Sequence, residues 1–331
     1  MQQEIIAAAV VSVIAFFTVF LLTPLLIKAL EKRNSTVKDY HRKGGAMVAR
    51  PGGPTILAGI LVSGIALYVF FPMTEIIAIL ITTGLAFLVG LVDDKKVMGG
   101  WFKPLSLAAI AVPIILLGAY DSDLSFPLFG EVKIPLLYPI IAVIMIVITG
   151  NTINSIDVLN GVASGFMVIA GSALTISLVI LQNYEIAIAS LLLVFVSLAF
   201  YKYHKFPSKI FPGDSGALTL GAMYGVIAIV GQVEVIAAIA LGPAIINSFL
   251  FLSSVKRIVE HREIIAKPVE LTEDFKLKAT SDKKASVTLV RLILAGGKPL
   301  SEKEIGFVIF KLTIFSGFLA IITAFMMGVS L

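Results

Sequence analysis

The chain has 331 residues, of which 58% are hydrophobic and 14% charged, and its mean hydropathy is +1.01. A soluble domain cannot solvate such a surface, so composition excludes a soluble enzyme, a disordered tail and a secreted scaffold, and the protein reads as integral to a membrane. No cysteine is present, which removes disulfides, thiolate nucleophiles and Cys-based metal sites; the net charge of +5 belongs to loops and not to a nucleic-acid surface.

A hydrocarbon core about 30 Å thick needs about 20 helical residues per crossing. Mostly apolar segments of that order fall near 5–27, 55–72, 76–92, 105–120, 134–150, 162–181, 185–201, 216–231, 235–255 and 307–330. They predict an all-α integral membrane protein of about ten transmembrane helices. The first is too long for a signal-peptide core, and its basic residues Lys28, Lys32 and Arg33 follow it, so it is expected to stay, with the N-terminus outside. Cytoplasmic loops accumulate Lys and Arg, and 25 of the 26 basic residues fall on one side of this arrangement, leaving Lys133 on the other. All three histidines (His41, His204, His261) share the basic face with Asp93, Asp94, Asp157 and Asp214. A transporter usually places polar or charged groups near the midplane. No ionisable residue falls at the centre of a span here, which points to a site at the membrane surface.

Four polar clusters lie on that face. In LVGLVDDKKVMGGWFKPL, Asp93 and Asp94 end the third helix and Lys103 follows. Neighbouring helical residues point about 100° apart, so the two carboxylates can face different partners, and the macrodipole disfavours anions at a helix C-terminus unless something holds them there. In ITGNTINSIDVLNGVASG, Asn151, Asn154, Asp157 and Asn160 recur every three residues. They read either as a hydrogen-bonded helix terminus or as a pocket wall whose oxygens suit Mg²⁺ and whose amides can read a nucleobase edge. In YHKFPSKIFPGDSGALTLGA, Asp214 precedes the eighth helix between Gly213 and Gly216 and suits a cap or a ligand equally. The fourth cluster is the polar insert 256–306, where IIAKPVEL and FKLKAT read as short strands and ASVTLVRLILAGGK as a surface helix. It predicts a small cytoplasmic α+β insert between helices 9 and 10, in which His261 and Arg262 suit solvation or a polar ligand.

In order along the chain, a basic first loop, the DD pair, NxxNxxDxxNG, the FPGDSG loop and a late HR motif resemble the polyprenyl-phosphate N-acetylhexosamine-1-phosphate transferases of glycosyltransferase family 4. The resemblance covers nearly the whole chain. The HR insert and the absence of a histidine triplet make it closest to the archaeal and eukaryotic branch, the UDP-N-acetylglucosamine–dolichyl-phosphate N-acetylglucosaminephosphotransferases. It implies one polytopic domain over 1–331, with 256–306 as its substrate-binding insert. It also implies transfer of N-acetylglucosamine-1-phosphate, or a related N-acetylhexosamine-1-phosphate, from a UDP-sugar to dolichyl or polyprenyl phosphate with release of UMP. That is the first membrane step of lipid-linked oligosaccharide synthesis for protein N-glycosylation. The alternative is a bacterial-type phospho-N-acetylmuramoyl-pentapeptide or undecaprenyl-phosphate GlcNAc-1-phosphate transferase.

The resemblance also implies residue roles. Mg²⁺, with Mn²⁺ as a substitute, falls to Asp214 and Asn154. Asp93, Asp94, Asp157 and Lys103 form the catalytic set, with the DD pair preparing the acceptor phosphate and Lys103 holding the pyrophosphate. Asn151, Asn160, His261, Arg262 and Lys43 contact substrate, Asn160 where the family reads uracil and His261 with Arg262 at the N-acetyl sugar. The implied partners are UDP-N-acetylglucosamine and a lipid phosphate, with no nucleic acid and with a homodimer left open. The implied setting is the plasma membrane of a prokaryote of archaeal type, the active site facing the cytoplasm. Three positions depart from the pattern: His204 replaces an Asn, Glu260-His261-Arg262 replaces an Arg-His-Arg triplet, and VARPGG around Arg50 lacks an acidic residue. Two competing readings are a transporter of an anionic solute, which predicts broken spans and midplane charge, and a non-catalytic scaffold of the same fold, which predicts loss of the acidic set.

Overall fold

The computed structural model describes residues 2–42, 45–96, 98–257 and 266–328. Helix α1 (Gln2–Lys32) leads through a hairpin, β1 (Thr36–Lys38) with β2 (Met47–Ala49), into α2 (Gly53–Phe70) and α3 (Thr74–Lys95). Two short helices, α4 (Phe102–Ile110) and α5 (Val112–Leu116), precede a second hairpin, β3 (Asp123–Phe126) with β4 (Gly130–Lys133). Then come α6 (Tyr138–Ile156), α7 (Val162–Ile180), α8 (Tyr184–His204), α9 (Gly213–Val230), α10 (Glu234–Ala240) and α11 (Gly242–Val255). The insert holds the hairpin β5 (Val269–Leu271) with β6 (Leu277–Ala279) and helix α12 (Leu289–Ile293), and α13 (Glu302–Gly328) closes the chain.

Among the described residues, eight helices are long and apolar enough to cross a membrane, or up to nine if α10 with α11, bent by 73° at their junction, counts as one span. The remaining expected segment, 105–120, is the shorter α4–α5 pair. Proline explains both breaks, since it lacks an N–H and its ring clashes with the preceding turn: Pro113 opens α5 and Pro243 opens α11. Every apolar segment read from the sequence is therefore helical, and the chain is an all-α multi-pass membrane protein. The last helix begins at Glu302, earlier than its apolar run, because Ser301 and Glu304 close a capping box: Glu304 Oε2 accepts from the Ser301 N–H at 2.8 Å, and Ser301 Oγ from the Glu304 N–H at 3.3 Å. The insert's strands and helix fall inside the three runs that suggested them. The first two hairpins were not expected, because strands of three or four residues leave no periodicity to read.

Helix α9 is apolar on all sides and buried along its whole length, as a helix at the centre of a bundle must be. It packs on α2, α3, α6 and α8. A Cβ on Gly90 of α3 would lie 2.4 Å from the Ser215 Cα, so glycine there lets the end of α3 touch the start of α9. The loops after α1, α3 and α8 meet at this one end: Ala49 bridges Ile210, and the Gly52 N–H donates to the Phe211 carbonyl at 2.8 Å. Lys133 sits on β4, 3.3 Å from Asp123. Asn247 in the bent span is a staple, its amide donating to Ser155 Oγ at 3.1 Å and its carbonyl accepting from the Leu289 N–H at 2.9 Å.

Candidate active site

The contact between α3 and α9 assembles the acidic residues. Gly213 opens α9 with φ +72°, and a Cβ on it would fall 2.7 Å from Pro51 Cβ and 2.8 Å from both Asp94 carboxylate oxygens; only glycine fits that turn. Asp94 Oδ1 accepts from the Asp214 N–H and Oδ2 from the Ser215 N–H, each at 2.9 Å. The end of one helix thus supplies the anionic cap of another, where the unpaired N–H groups carry partial positive charge. Asp214, on the first turn of α9, is 5% exposed. Its Oδ1 lies 2.7 Å from Lys103 Nζ and its Oδ2 2.6 Å from Arg50 Nη2. The same arginine nitrogen is 3.1 Å from Asp94 Oδ1, and Lys103 Nζ is 3.0 Å from Asp93 Oδ2. Charge therefore alternates along one chain of contacts, Asp93, Lys103, Asp214, Arg50, Asp94.

This chain backs a cavity of about 400 Å³ whose wall includes Arg50, Lys103, Asn154, Asp157 and Asp214. Asp93 and Asp94 stand behind that wall. Asp93 is 1% exposed and also accepts from the Met98 N–H at 3.0 Å, so it positions Lys103, while Asp94 positions the start of α9. Asp157, one residue beyond α6, has its Oδ1 3.7 Å from His204 Nε2. Burial first, reinforced by the charges of Asp214 and Asp94 and opposed by Arg50, pushes its carboxyl up to about 7. Asn151 is not brought to the cavity: its amide donates back to the Val147 carbonyl at 2.8 Å within its own helix. Lys43, His261 and Arg262 lie outside the described residues.

Asn160 reaches the wall with its amide already engaged. Its Nδ2 donates to Glu302 Oε1 at 2.7 Å and Asp39 Oδ2 at 3.2 Å, its Oδ1 accepts from the Ser208 N–H at 2.9 Å, and its backbone N–H donates to Glu302 at 2.5 Å. His41 Nδ1 is 3.4 Å from Glu302 Oε1. Burial alone would lower the His41 pKa, but the hydrogen bond and charge of Glu302, with the charge of Asp39, raise it above the ordinary 6.5. This hub ties the first loop, the end of α6, the loop before α9 and the start of α13 together. Sequence reasoning missed Asp39, Glu302 and the contact role of Arg50. The capping box at Ser301 was the one local signal that placed Glu302 on a first turn, and nothing local said what it would face. A second cavity of about 180 Å³ adjoins the first at His41, Ser155, Val158 and Leu159 and runs beneath the insert.

The donor set around Asp214 fits a hard divalent cation. Three carboxylates stand against two cationic side chains, buried Asp93 Oδ2 has no hydrogen-bond partner beyond its ion pair, and Asn154 adds an amide oxygen to the same wall. Asp39, His41 and Glu302 also bring ligand atoms within 4.8 Å of one another, but Asn160 Nδ2 already bridges the two carboxylates.

Residues 76–232 match the model of glycosyl transferase family 4. The match covers a little under half of the chain. The matched segment holds Asp93, Asp94, Lys103, Asn154, Asp157 and Asp214, while Arg50, Asp39, His41 and Glu302 lie outside it. A protein of Saccharolobus solfataricus, provisionally named a UDP-N-acetylglucosamine–dolichyl-phosphate N-acetylglucosaminephosphotransferase, is 28% identical over 76% of this chain and 79% of its own. A Bacillus subtilis protein, provisionally named an undecaprenyl-phosphate N-acetylglucosaminyl 1-phosphate transferase, is 29% identical over 80% of this chain and 76% of its own. The phospho-N-acetylmuramoyl-pentapeptide-transferase of Staphylococcus haemolyticus is 28% identical over 66% of this chain and 75% of its own. That family uses UDP-sugars and polyprenyl phosphate lipids as substrates, and transfer between two phosphates suits a cavity backed by alternating acids and bases.

Proposed function

We propose that this chain transfers N-acetylglucosamine-1-phosphate from UDP-N-acetylglucosamine to dolichyl or another polyprenyl phosphate, on the cytoplasmic face of a prokaryotic plasma membrane, as the first membrane step toward N-linked glycans. The observation that carries this reading is the contact chain from Asp93 to Asp94 behind a cavity at one end of a membrane bundle. An oxygen of the lipid phosphate attacks the sugar-bearing phosphorus of the donor, the bond from that phosphorus to the bridging oxygen breaks, and UMP leaves with that oxygen. Such transfer between two anions is mostly positioning and charge neutralisation.

The roles come from the resemblance, and the contacts support them. Lys103, fixed by Asp93, holds pyrophosphate oxygens. Asp214 and Asn154 supply oxygen ligands, and Asp94 keeps Asp214 in place. Mg²⁺ bound there, or Mn²⁺ in its stead, would neutralise charge on the reacting phosphates. A lipid phosphate is already ionised near neutral pH, so Asp93, buried against Lys103, is not needed as a base. His261 and Arg262 are assigned to the donor, and Lys43 to substrate binding, on the resemblance alone.

The test is purified full-length protein with Mg²⁺, polyprenyl phosphate and a panel of UDP-sugars that includes UDP-N-acetylmuramoyl-pentapeptide, followed by release of UMP. UMP release with UDP-N-acetylglucosamine that a chelator stops is the expected result. Turnover of the muramoyl donor alone would place the chain with the phospho-N-acetylmuramoyl-pentapeptide-transferases. A cysteine introduced at Ser281, in a chain that has none, should be labelled from the cytoplasmic side; labelling only from outside would reverse the orientation.

A further inference from the structure

We propose that Arg50 is a place-holding cation: it neutralises Asp94 and Asp214 until the divalent metal binds, and it gives way to that metal by turning its guanidinium onto the donor's phosphates. The inference rests on reading Asp214 as a metal ligand. Both Asp214 oxygens already face a cation, Oδ1 Lys103 at 2.7 Å and Oδ2 Arg50 at 2.6 Å, so a metal reaching either oxygen must contend with one of the two. Lys103 is the less free to leave. Its side chain is 10% exposed and held at 3.0 Å by Asp93, itself 1% exposed. The Arg50 side chain is 27% exposed and lines the cavity.

The backbone of Arg50 is fixed while its side chain has somewhere to go. Its N–H donates to the Ser35 carbonyl at 3.1 Å, and its carbonyl accepts from Ser35 Oγ at 2.6 Å, which anchors the end of β2. Asp94 does not depend on the arginine, because it keeps the Asp214 and Ser215 N–H groups when the guanidinium departs. Arginine cannot shed its charge to accommodate a neighbouring cation, so metal and guanidinium exclude each other at Oδ2. A released guanidinium at the cavity wall offers a planar fork that matches two phosphate oxygens. Two consequences follow. Arg50 weakens metal binding in the absence of donor, and it strengthens the mutual dependence of metal and donor, since each makes the other's position available.

The experiment is Mn²⁺ binding to the full chain in detergent, read by electron paramagnetic resonance with and without UDP-N-acetylglucosamine. Arg50→Gln should bind Mn²⁺ about tenfold tighter than the unaltered protein when no donor is present, as expected on removing a like charge from the site. It should also lose most of the tightening that donor confers. Arg50→Lys keeps a charge beside Asp214 without the fork, so it should keep the weak Mn²⁺ affinity of the unaltered protein and lose donor coupling. Asp214→Asn should lose Mn²⁺ binding in every case. If Asp214→Asn loses Mn²⁺ while Arg50→Gln binds no tighter than the unaltered protein, the place-holding role is wrong and the metal site stands. Should Arg50→Gln not fold, donor coupling in Arg50→Lys equal to that of the unaltered protein overturns the proposal. Mn²⁺ binding that survives in Asp214→Asn overturns the metal assignment on which it rests.

Discussion

Asp94, the last acid of α3, caps α9 by accepting from the backbone N–H groups of Asp214 and Ser215 at 2.9 Å each. The position of Asp214 is thus set by a residue on another helix, and the two halves of the site are held to each other. Replacing Asp94 with Ala should cost about 1–2 kcal/mol of stability, the usual worth of a charged N-cap. Turnover should fall by at least about tenfold, because Asp214 loses its placement. The KM for the lipid phosphate should stay level. A selective rise in that KM would return Asp94 to direct contact with the acceptor.

Lys103 bridges two carboxylates, and Asp93 and Asp214 are both nearly inaccessible to solvent. Removing one partner of a buried pair leaves an uncompensated charge, so Lys103→Met should destabilise the protein by about 3–5 kcal/mol. Pairing it with Asp93→Asn removes the stranded carboxylate and should recover part of that loss, measured by thermal unfolding in detergent. Neither protein should turn over, since the cation proposed to hold the pyrophosphate is gone. A double variant as unstable as the sum of the two single ones would mean that Asp93 and Lys103 are not coupled.

The bundle was legible in the sequence because apolar runs of a bilayer's thickness have few other uses, and the Asp93–Asp94 and Asp214 motifs announced themselves by sitting in polar, glycine-punctuated ends of those runs. Which residue faces which was not legible. Asn151 and Asn154 share one spacing, yet Asn151 turns back onto its own helix and Asn154 reaches the cavity, a choice made by the packing of α6. The contacts of Arg50 with Asp94 and Asp214, and of Glu302 with Asn160, join residues far apart in the chain. One sequence carries no signal for such pairs until the helices are placed side by side.

His41 gives the site a pH-dependent brace. Its pKa is raised above 6.5 by Glu302 and Asp39 against the cost of burial, so its contribution to stability is complete below pH 6.5 and is lost as pH climbs through the raised value. The thermal midpoint should fall between about pH 5 and about pH 8, and the fall should be smaller in His41→Gln. An unchanged profile in that variant would assign the slope to another group.

Asn160 makes a sharper test, because its place in the hub and the uracil-reading role that the resemblance implies predict different outcomes. Its amide donates to two buried carboxylates, on Asp39 and Glu302, and its carbonyl accepts from the Ser208 N–H. Asn160→Asp would set a third carboxylate among residues that are 3% and 5% exposed, and should destabilise the protein by about 3–5 kcal/mol. Asn160→Ala only strands hydrogen-bond partners and should cost about 1–3 kcal/mol. Adding Glu302→Gln to Asn160→Asp replaces one carboxylate with an amide that can donate back, so it should restore part of the stability. A residue whose main work is to read uracil gives another pattern: both single variants fold as well as the unaltered protein, and both raise the KM for UDP-sugar. Unfolding midpoints measured beside UDP-sugar kinetics separate the two. If Asn160→Asp unfolds no earlier than Asn160→Ala, the hub does not depend on the amide, and Asn160 belongs to the nucleotide.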